Sequence, residues 1–196
     1  MDIELFALKI DRELTLQEQE KMLAILPPRR RERLEKLSRD KIPAEPLCAY
    51  ALLLRILHAL YGWNVLPQMA YNQYGKPFFP DYPDVHFNIS HTRGALLVGV
   101  HNQPLGVDLE LIRPVSARTM EMIAGVSQEK EFFENWVRRE SRGKWGGIGL
   151  GSIRKDDKEV LYGENFYYVD TFPEYVACVC THSADRPSEV RCLTLR

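Results

Sequence analysis

Cysteine is scarce in this chain, and none of it is spaced for a metal ribbon or a redox pair. Cys48, Cys178, Cys180 and Cys192 contain no C-x-x-C, which excludes a zinc ribbon or a thioredoxin motif. Cys178 and Cys180 alternate along an apolar run and read as buried thiols in a strand. The five histidines, at 58, 86, 91, 101 and 182, show no zinc-ligand spacing. Charge of one sign is not in excess either. Twenty-six basic side chains face 27 acidic ones, for a net charge of -1, so nothing suggests a nucleic-acid partner. A long hydrophobic run is absent: the stretch 49–60 is broken by Arg55 and His58 and reads as too short to cross a bilayer. The opening MDIELFALKI lacks the basic stretch with which a secretory leader begins. The expectation is a cytoplasmic protein with no membrane partner. Neither G-x-S-x-G nor H-E-x-x-H occurs, and the run Gly146-Gly147-Ile148-Gly149 lacks the G-K-[ST] ending of a phosphate-binding loop.

What is present is an ordinary globular composition, 45% hydrophobic and 27% charged over 196 residues, enough to bury a core without staples. Alternation at Ile3, Leu5 and Ala7 predicts an opening strand. Thr15 with Glu18 three residues on forms a capping box, and Pro27-Pro28 ends the helix it starts. A basic helix follows over 29–39, holding Arg29, Arg30, Arg31, Arg33, Lys36 and Arg39 against Glu32 and Glu35. It reads either as a solvated, salt-bridged face or as a grip for a small anion. A buried helix is predicted over 47–61, closed by Gly62, with Pro43 and Pro46 just before it. Short strands then follow in MAYNQYGKPFF, DVHFNIS, GALLVGVH and LGVDLEL, with a turn at 102–104. Helices return at 116–124 and 128–144, then a glycine-rich loop, KWGGIGLGS. The remainder reads as strands in GSIRK, NFYYVDTF, YVACVCTH and EVRCLTL. This order predicts an α+β protein of two similar halves, 1–103 and 104–196, each with helices on an antiparallel sheet.

Several short motifs carry polar groups on a strand or helix. In Gly106-Val107-Asp108-Leu109-Glu110, alternation puts Val107 and Leu109 toward the core and both carboxylates on the opposite face. That face is either a plain wet surface or a site for a hard cation that takes oxygen ligands. Glu140 and Lys144 lie one turn apart on a helix, as a surface ion pair or as site residues. The strand end Phe87-Asn88-Ile89-Ser90-His91 offers donors that either cap a turn or meet a phosphate. Gly75-Lys76-Pro77 adds a permissive glycine and a lysine.

These motifs occur in one order: GKP, FNISH, GVDLE, then W-x-x-R-E-S-x-x-K. That order and spacing resemble the surfactin-synthetase-activating type of 4'-phosphopantetheinyl transferase, closely over 71–110 and again over 132–150. The resemblance implies a pseudo-twofold fold with coenzyme A in the cleft between halves, completed within one chain, so that a monomer suffices. It implies a magnesium ion on Asp108, Glu110 and Glu140. It places phosphate-binding groups at His91, Ser90 and Lys144, sets Gly75, Lys76 and Pro77 along the nucleotide, and puts Arg29 or Arg33 at the 3'-phosphate. The implied reaction moves the phosphopantetheine arm of coenzyme A to a serine of an acyl or peptidyl carrier protein, releasing 3',5'-ADP. His91 and Lys144 would stabilise the charge that builds up. Glu140, or a metal-bound water beside it, is the candidate base.

Three departures from the family pattern stand out. Arg139 replaces a lysine, the basic residue expected near Glu45–Pro46 is missing, and the stretch between 114 and 136 is short. They keep one alternative open, and setting the resemblance aside leaves another. One is a degenerate relative that binds coenzyme A or a carrier without turnover; the other is a different magnesium-dependent phosphotransferase.

Overall fold

The computed structural model describes residues 2–37, 42–147, 163–184 and 186–195. The chain runs β1 (Glu4–Ile10), α1 (Leu16–Ile25), α2 (Pro28–Leu37), α3 (Ala44–Tyr61), β2 (Ala70–Tyr71), β3 (Pro77–Phe78), β4 (His86–Thr92), β5 (Ala95–His101) and β6 (Leu105–Leu111). Then come α4 (Ala117–Ala124), α5 (Glu129–Gly146), β7 (Asn165–Tyr168), β8 (Tyr175–Thr181) and β9 (Arg191–Leu195). The fold is α+β. The first sheet has the order β4-β5-β1-β9, the second β6-β8-β7, and β2 and β3 form a small hairpin. Neighbouring strands are antiparallel, except that β9 returns to lie parallel to β1, with Phe6 opposite Arg191 and Ile10 opposite Leu195.

Strand alternation sorts the apolar side chains into layers. On β1 and β5, Phe6, Leu8, Leu96, Val98 and Val100 pack with Leu53, Ile56 and Leu57 of α3. The intervening Leu5, Ala7, Ala95 and Leu97 turn the other way, onto Val107, Leu109, Ala177 and Val179 of the second sheet. The second sheet's far face, at Val176 and Cys178, meets Phe132, Phe133 and Val137 of α5 and Met120 of α4. The order of layers is therefore α3, first sheet, second sheet, α5. Both sheets are covered on both sides, which is why all seven residues of β5 are buried. At about 1.5–3 kcal/mol for each large apolar side chain fully removed from water, this stacking is the main force positioning β4, β6 and α5.

Local chemistry sets the element ends. The Thr15–Glu18 capping box is present, and Gly62 ends α3 in the left-handed conformation. α3 starts at Ala44 rather than at 47, with Pro46 inside its first turn, where a backbone N–H has no intrahelical partner to lose. At 18 residues α3 is long and apolar enough to cross a membrane by length and composition alone, so the reading of this stretch as too short was wrong. Its Leu47, Leu53, Ile56 and Leu57 lie in the core. Cys48, Cys178 and Cys180 are buried free thiols. The strand expected at GSIRK, most of the glycine loop after Gly147, and Arg39 lie outside the described residues.

Candidate active site

The site grows from a seam where β4 meets the free edge of β6. β4 is not a backbone partner of β6; its side chains do that work. Asn88 Oδ1 accepts the Val107 N–H at 2.8 Å, and Ser90 Oγ accepts the Leu109 N–H at 3.2 Å. Thr92 Oγ1 donates to Glu110 Oε2 at 3.2 Å. The three residues are two apart, so one face of β4 carries the whole row. From the opposite side α5 lies directly on β6 at Gly106. A Cβ on Gly106 would stand 2.0 Å from the Ser141 carbonyl oxygen and 2.2 Å from the Trp145 nitrogen. Only glycine permits that approach, and it brings the last turns of α5, with Glu140 and Lys144, over Asp108.

Val107 and Leu109 point to the sheet–sheet core as expected, while Asp108 points into the contact with α5 rather than to water. Asp108 is 3% exposed. Its Oδ1 accepts from Ser90 Oγ at 2.7 Å and from Lys144 Nζ at 2.5 Å, and Lys144 also donates to Ser90 Oγ at 2.8 Å. Burial raises the Asp108 carboxyl above its ordinary range, opposed by Lys144 and Ser90. Glu140 is also buried. Burial, then the charge on Asp108 and further off on Glu110, pushes it up to about 7, with Lys144 opposing. Glu110 pairs with the more exposed Arg113 at 3.1 Å.

Asp108 and Glu110 thus sit near enough to Glu140 to repel its charge. Among the described residues, no three His, Cys, Asp or Glu side chains are gathered as a ready metal cluster. The donor chemistry nonetheless fits a hard divalent cation. All three groups offer carboxylate oxygens, and Asp108 Oδ2 is buried without a hydrogen-bond partner. The Lys144 ammonium supplies the positive charge at Asp108.

A groove leads away from this cluster along β4. Its first hollow, about 270 Å³, is lined by Tyr74, Gly75, Lys76 and Pro77 on one side and by Glu140, Gly143, Lys144 and Gly147 on the other. It shares Gly75, Pro77, Asn88 and Ile89 with a narrower hollow of about 150 Å³, walled by Arg30, Tyr50, Tyr71 and His91. That hollow shares Arg30, Pro46 and His91 with a third, of about 360 Å³, which adds Arg33, Glu45 and Arg93. The first hollow thus carries Glu140 with Lys76 and Lys144, and the third carries Arg30, Arg33 and Arg93 with Glu45. His91 lies between them. Desolvation in the groove and the positive charges of Arg30 and Lys144 hold its imidazole below the usual histidine range.

The structure brings Gly75, Lys76, Pro77, Ser90, His91, Asp108, Glu140, Lys144 and Arg33 to this groove and its floor, with Glu110 beside them. Arg29 is elsewhere, stacked over the Tyr71 ring at 4.7 Å. Lys76 lines the groove, but its ammonium donates to the Leu105 and Trp145 carbonyls, each at 3.1 Å. Nothing in the sequence singles out Arg93 or Tyr50, and Arg30 stands there only as one cation of the basic helix. Arg29 and Arg30 lie four and three residues from Arg33, so both share its helix face and spacing alone does not separate them. The Arg30 Nε is buried without a hydrogen-bond partner. Of the departures, Arg139 donates to the Ile123 carbonyl at 2.8 Å, near the end of α4, and Glu45 accepts the Gly94 N–H at 3.1 Å in the wall of the third hollow.

The chain matches no family model, yet it aligns along nearly its whole length with curated transferases. The 4'-phosphopantetheinyl transferase Sfp of Bacillus subtilis (strain 168) is 25% identical over 215 residues, covering 96% of each chain. The 4'-phosphopantetheinyl transferase ffp of Bacillus subtilis is 25% identical over 218 residues at the same coverage. The 4'-phosphopantetheinyl transferase gsp of Aneurinibacillus migulanus is 36% identical over 135 residues, 56% of each chain. The α+β fold is compatible with that of these transferases. These matches support a 4'-phosphopantetheinyl transferase of the Sfp type. The alignment with Sfp is longer than the 196 residues of this chain, so that relative carries insertions absent here.

Proposed function

We propose that this enzyme transfers 4'-phosphopantetheine from coenzyme A to a serine of an acyl or peptidyl carrier protein, turning apo into holo carrier and releasing 3',5'-ADP. The observation that carries this reading is the groove with carboxylates and Lys144 at one end and Arg30, Arg33 and Arg93 at the other. A ligand with a diphosphate and a separate phosphate matches such a split. The 3'-phosphate would lie toward Arg30 and Arg33, the nucleotide along Gly75 and Pro77 beside Tyr50 and Tyr71, and the diphosphate between His91 and Lys144. In this reading the chain is a pseudo-twofold pair of halves, 1–103 and 104–196, with β9 reaching back to the first sheet. It works as a cytoplasmic monomer.

Asp108, Glu110 and Glu140 would hold magnesium, whose charge would offset that building on the bridging and leaving oxygens. The rest falls to the chain's own side chains. The serine oxygen forms a bond to the phosphorus next to pantetheine, and the bond from that phosphorus to the 3',5'-ADP oxygen breaks, the electron pair leaving with the ADP. Glu140 takes the serine proton. Lys144 and His91 donate to the phosphoryl oxygens as charge grows on them. Ser90 holds Asp108 and Lys144 in register.

The test is to incubate the protein with apo carrier, coenzyme A and magnesium, and to weigh the carrier. A gain of one phosphopantetheine is the expected result. No gain with acyl and peptidyl carriers alike, despite coenzyme A binding, would refute transfer and leave a binding module.

A further inference from the structure

The polar contacts around Lys76 do more than line a groove. Trp145 lies in the last turn of α5, where carbonyls have no intrahelical partner. Its oxygen is met by the Lys76 ammonium, which also holds the Leu105 carbonyl at the start of β6. Two residues on, the Gly147 carbonyl accepts from Asn72 Nδ2 at 3.0 Å. Asn72 Oδ1 in turn accepts the N–H groups of Tyr74 and Lys76, both at 2.9 Å, and so shapes the turn between β2 and β3. The approach is close: a Cβ on Gly147 would stand 2.7 Å from Asn72 Nδ2 and 3.4 Å from Lys76 Cδ. A turn from one half thus caps the C-terminal end of a helix from the other, and a cation there is also favoured by the helix dipole. Lys144 directly precedes Trp145, and Glu140 lies just over one turn before it.

We propose that Lys76 is a positioning residue. Through the carbonyls of Trp145 and Leu105 it sets the end of α5 against β6, and so aims Lys144 and Glu140 at Asp108 and the reacting phosphate. It does not act as a coenzyme A ligand. The claim about catalysis rests on the transfer reaction proposed above; the claim about α5 does not.

Two variants and three readouts test it. Lys76→Met keeps the length of the side chain and loses its donors, and Lys76→Arg keeps donors for both carbonyls. With Lys76→Met, kcat for carrier loading should fall on the order of tenfold to a hundredfold, the cost of misplacing catalytic groups by about an ångström. The Kd for coenzyme A by calorimetry should change less than about threefold, within the context scatter of a single contact. Lys76→Arg should restore most of kcat. In Lys76→Met, hydrogen exchange over 140–147 should rise while exchange in α3 stays put. A large loss of coenzyme A affinity with kcat preserved would overturn the proposal, as would unchanged exchange at the end of α5. Should the wild-type protein fail to load any carrier, the transfer reading fails, and the exchange experiment still decides whether Lys76 holds α5. Should Lys76→Met not fold, Asn72→Ala, which removes the neighbouring cap, must raise exchange over the same residues; no rise overturns the proposal.

Discussion

Glu140→Gln is the most direct probe of the charge crowding in the cleft. Glu140 is 8% exposed, and burial with the neighbouring carboxylates moves its ionisation from the ordinary 4.5 up to about 7. A carboxyl that ionises later in the folded chain than in the unfolded one leaves the folded state holding more protons between those two values. Stability therefore falls as pH rises from about 4.5 to about 7, and stays lowered above it. At about 1.36 kcal/mol per pH unit, the full cost is on the order of 3 kcal/mol. Glutamine keeps the shape and carries no charge. The variant should match the wild type near pH 5 and exceed it by about 2–3 kcal/mol at pH 8, or roughly 5–10 °C in Tm for a chain of this size. Thermal unfolding of both proteins at pH 5, 6, 7 and 8, without divalent cations, reads the difference, in which the other titrating groups largely cancel. Parallel stability curves for the two proteins would refute the crowding. A larger variant advantage at pH 5 than at pH 8 would reverse its sign.

Two further substitutions follow from geometry. Gly106→Ala would place a methyl carbon within 2.0 Å of the Ser141 carbonyl oxygen. Backbone, not a flexible side chain, must give way, so α5 has to lift from β6. The expected cost is about 3 kcal/mol or more in urea unfolding, and an unchanged midpoint would show that the helix does not lie so close. Arg30→Ala should raise the KM for coenzyme A about tenfold, the worth of a charge-assisted hydrogen bond, with kcat held. Arg29→Ala should change neither, because that guanidinium stacks on Tyr71; equal effects of the two would contradict the orientation of α2.

The parts of the fold that depend on nearest neighbours were legible. The Thr15 cap, the Gly62 stop and the alternation of Val107 and Leu109 each follow from a few adjacent residues, and each stands as expected. What could not be read is what lies across from those residues. Alternation says that Asp108 points away from Val107, but whether it then meets water or α5 depends on a helix 30 residues later. The β4–β6 seam was equally hidden. Asn88, Ser90 and Thr92 show a polar alternation that suits a wet strand end as well as a row of acceptors for another strand's backbone. The sequence suggests Ser90 as a phosphate donor and Lys76 as a residue along the nucleotide, because their groups suit such a ligand. In the fold, those same groups have neighbours on β6 and α5. Among the arginines of α2, only the helix phase and the position of α3 separate Arg30 from Arg29.

Lys144 is bonded to Asp108 and Ser90, and the same ammonium is the α5 cation that faces the first hollow. One ammonium cannot serve a carboxylate and an incoming phosphate at full strength. When the diphosphate draws on Lys144, Asp108, already with one buried oxygen unpartnered, loses part of its counter-charge, and its repulsion of Glu140 grows. A divalent cation on the carboxylates would relieve that deficit. It would gain more from binding after coenzyme A than before it, and by linkage coenzyme A would gain as much from the cation. Calorimetric titration of magnesium with and without coenzyme A should show this coupling as a tightening of about fivefold or more. In Lys144→Met the carboxylates lack the ammonium from the outset, so magnesium should bind the free protein more tightly and the coupling should shrink. Equal magnesium affinities with and without coenzyme A in the wild type would mean that Lys144 never leaves Asp108, and that the phosphate is held by His91 and the arginines alone.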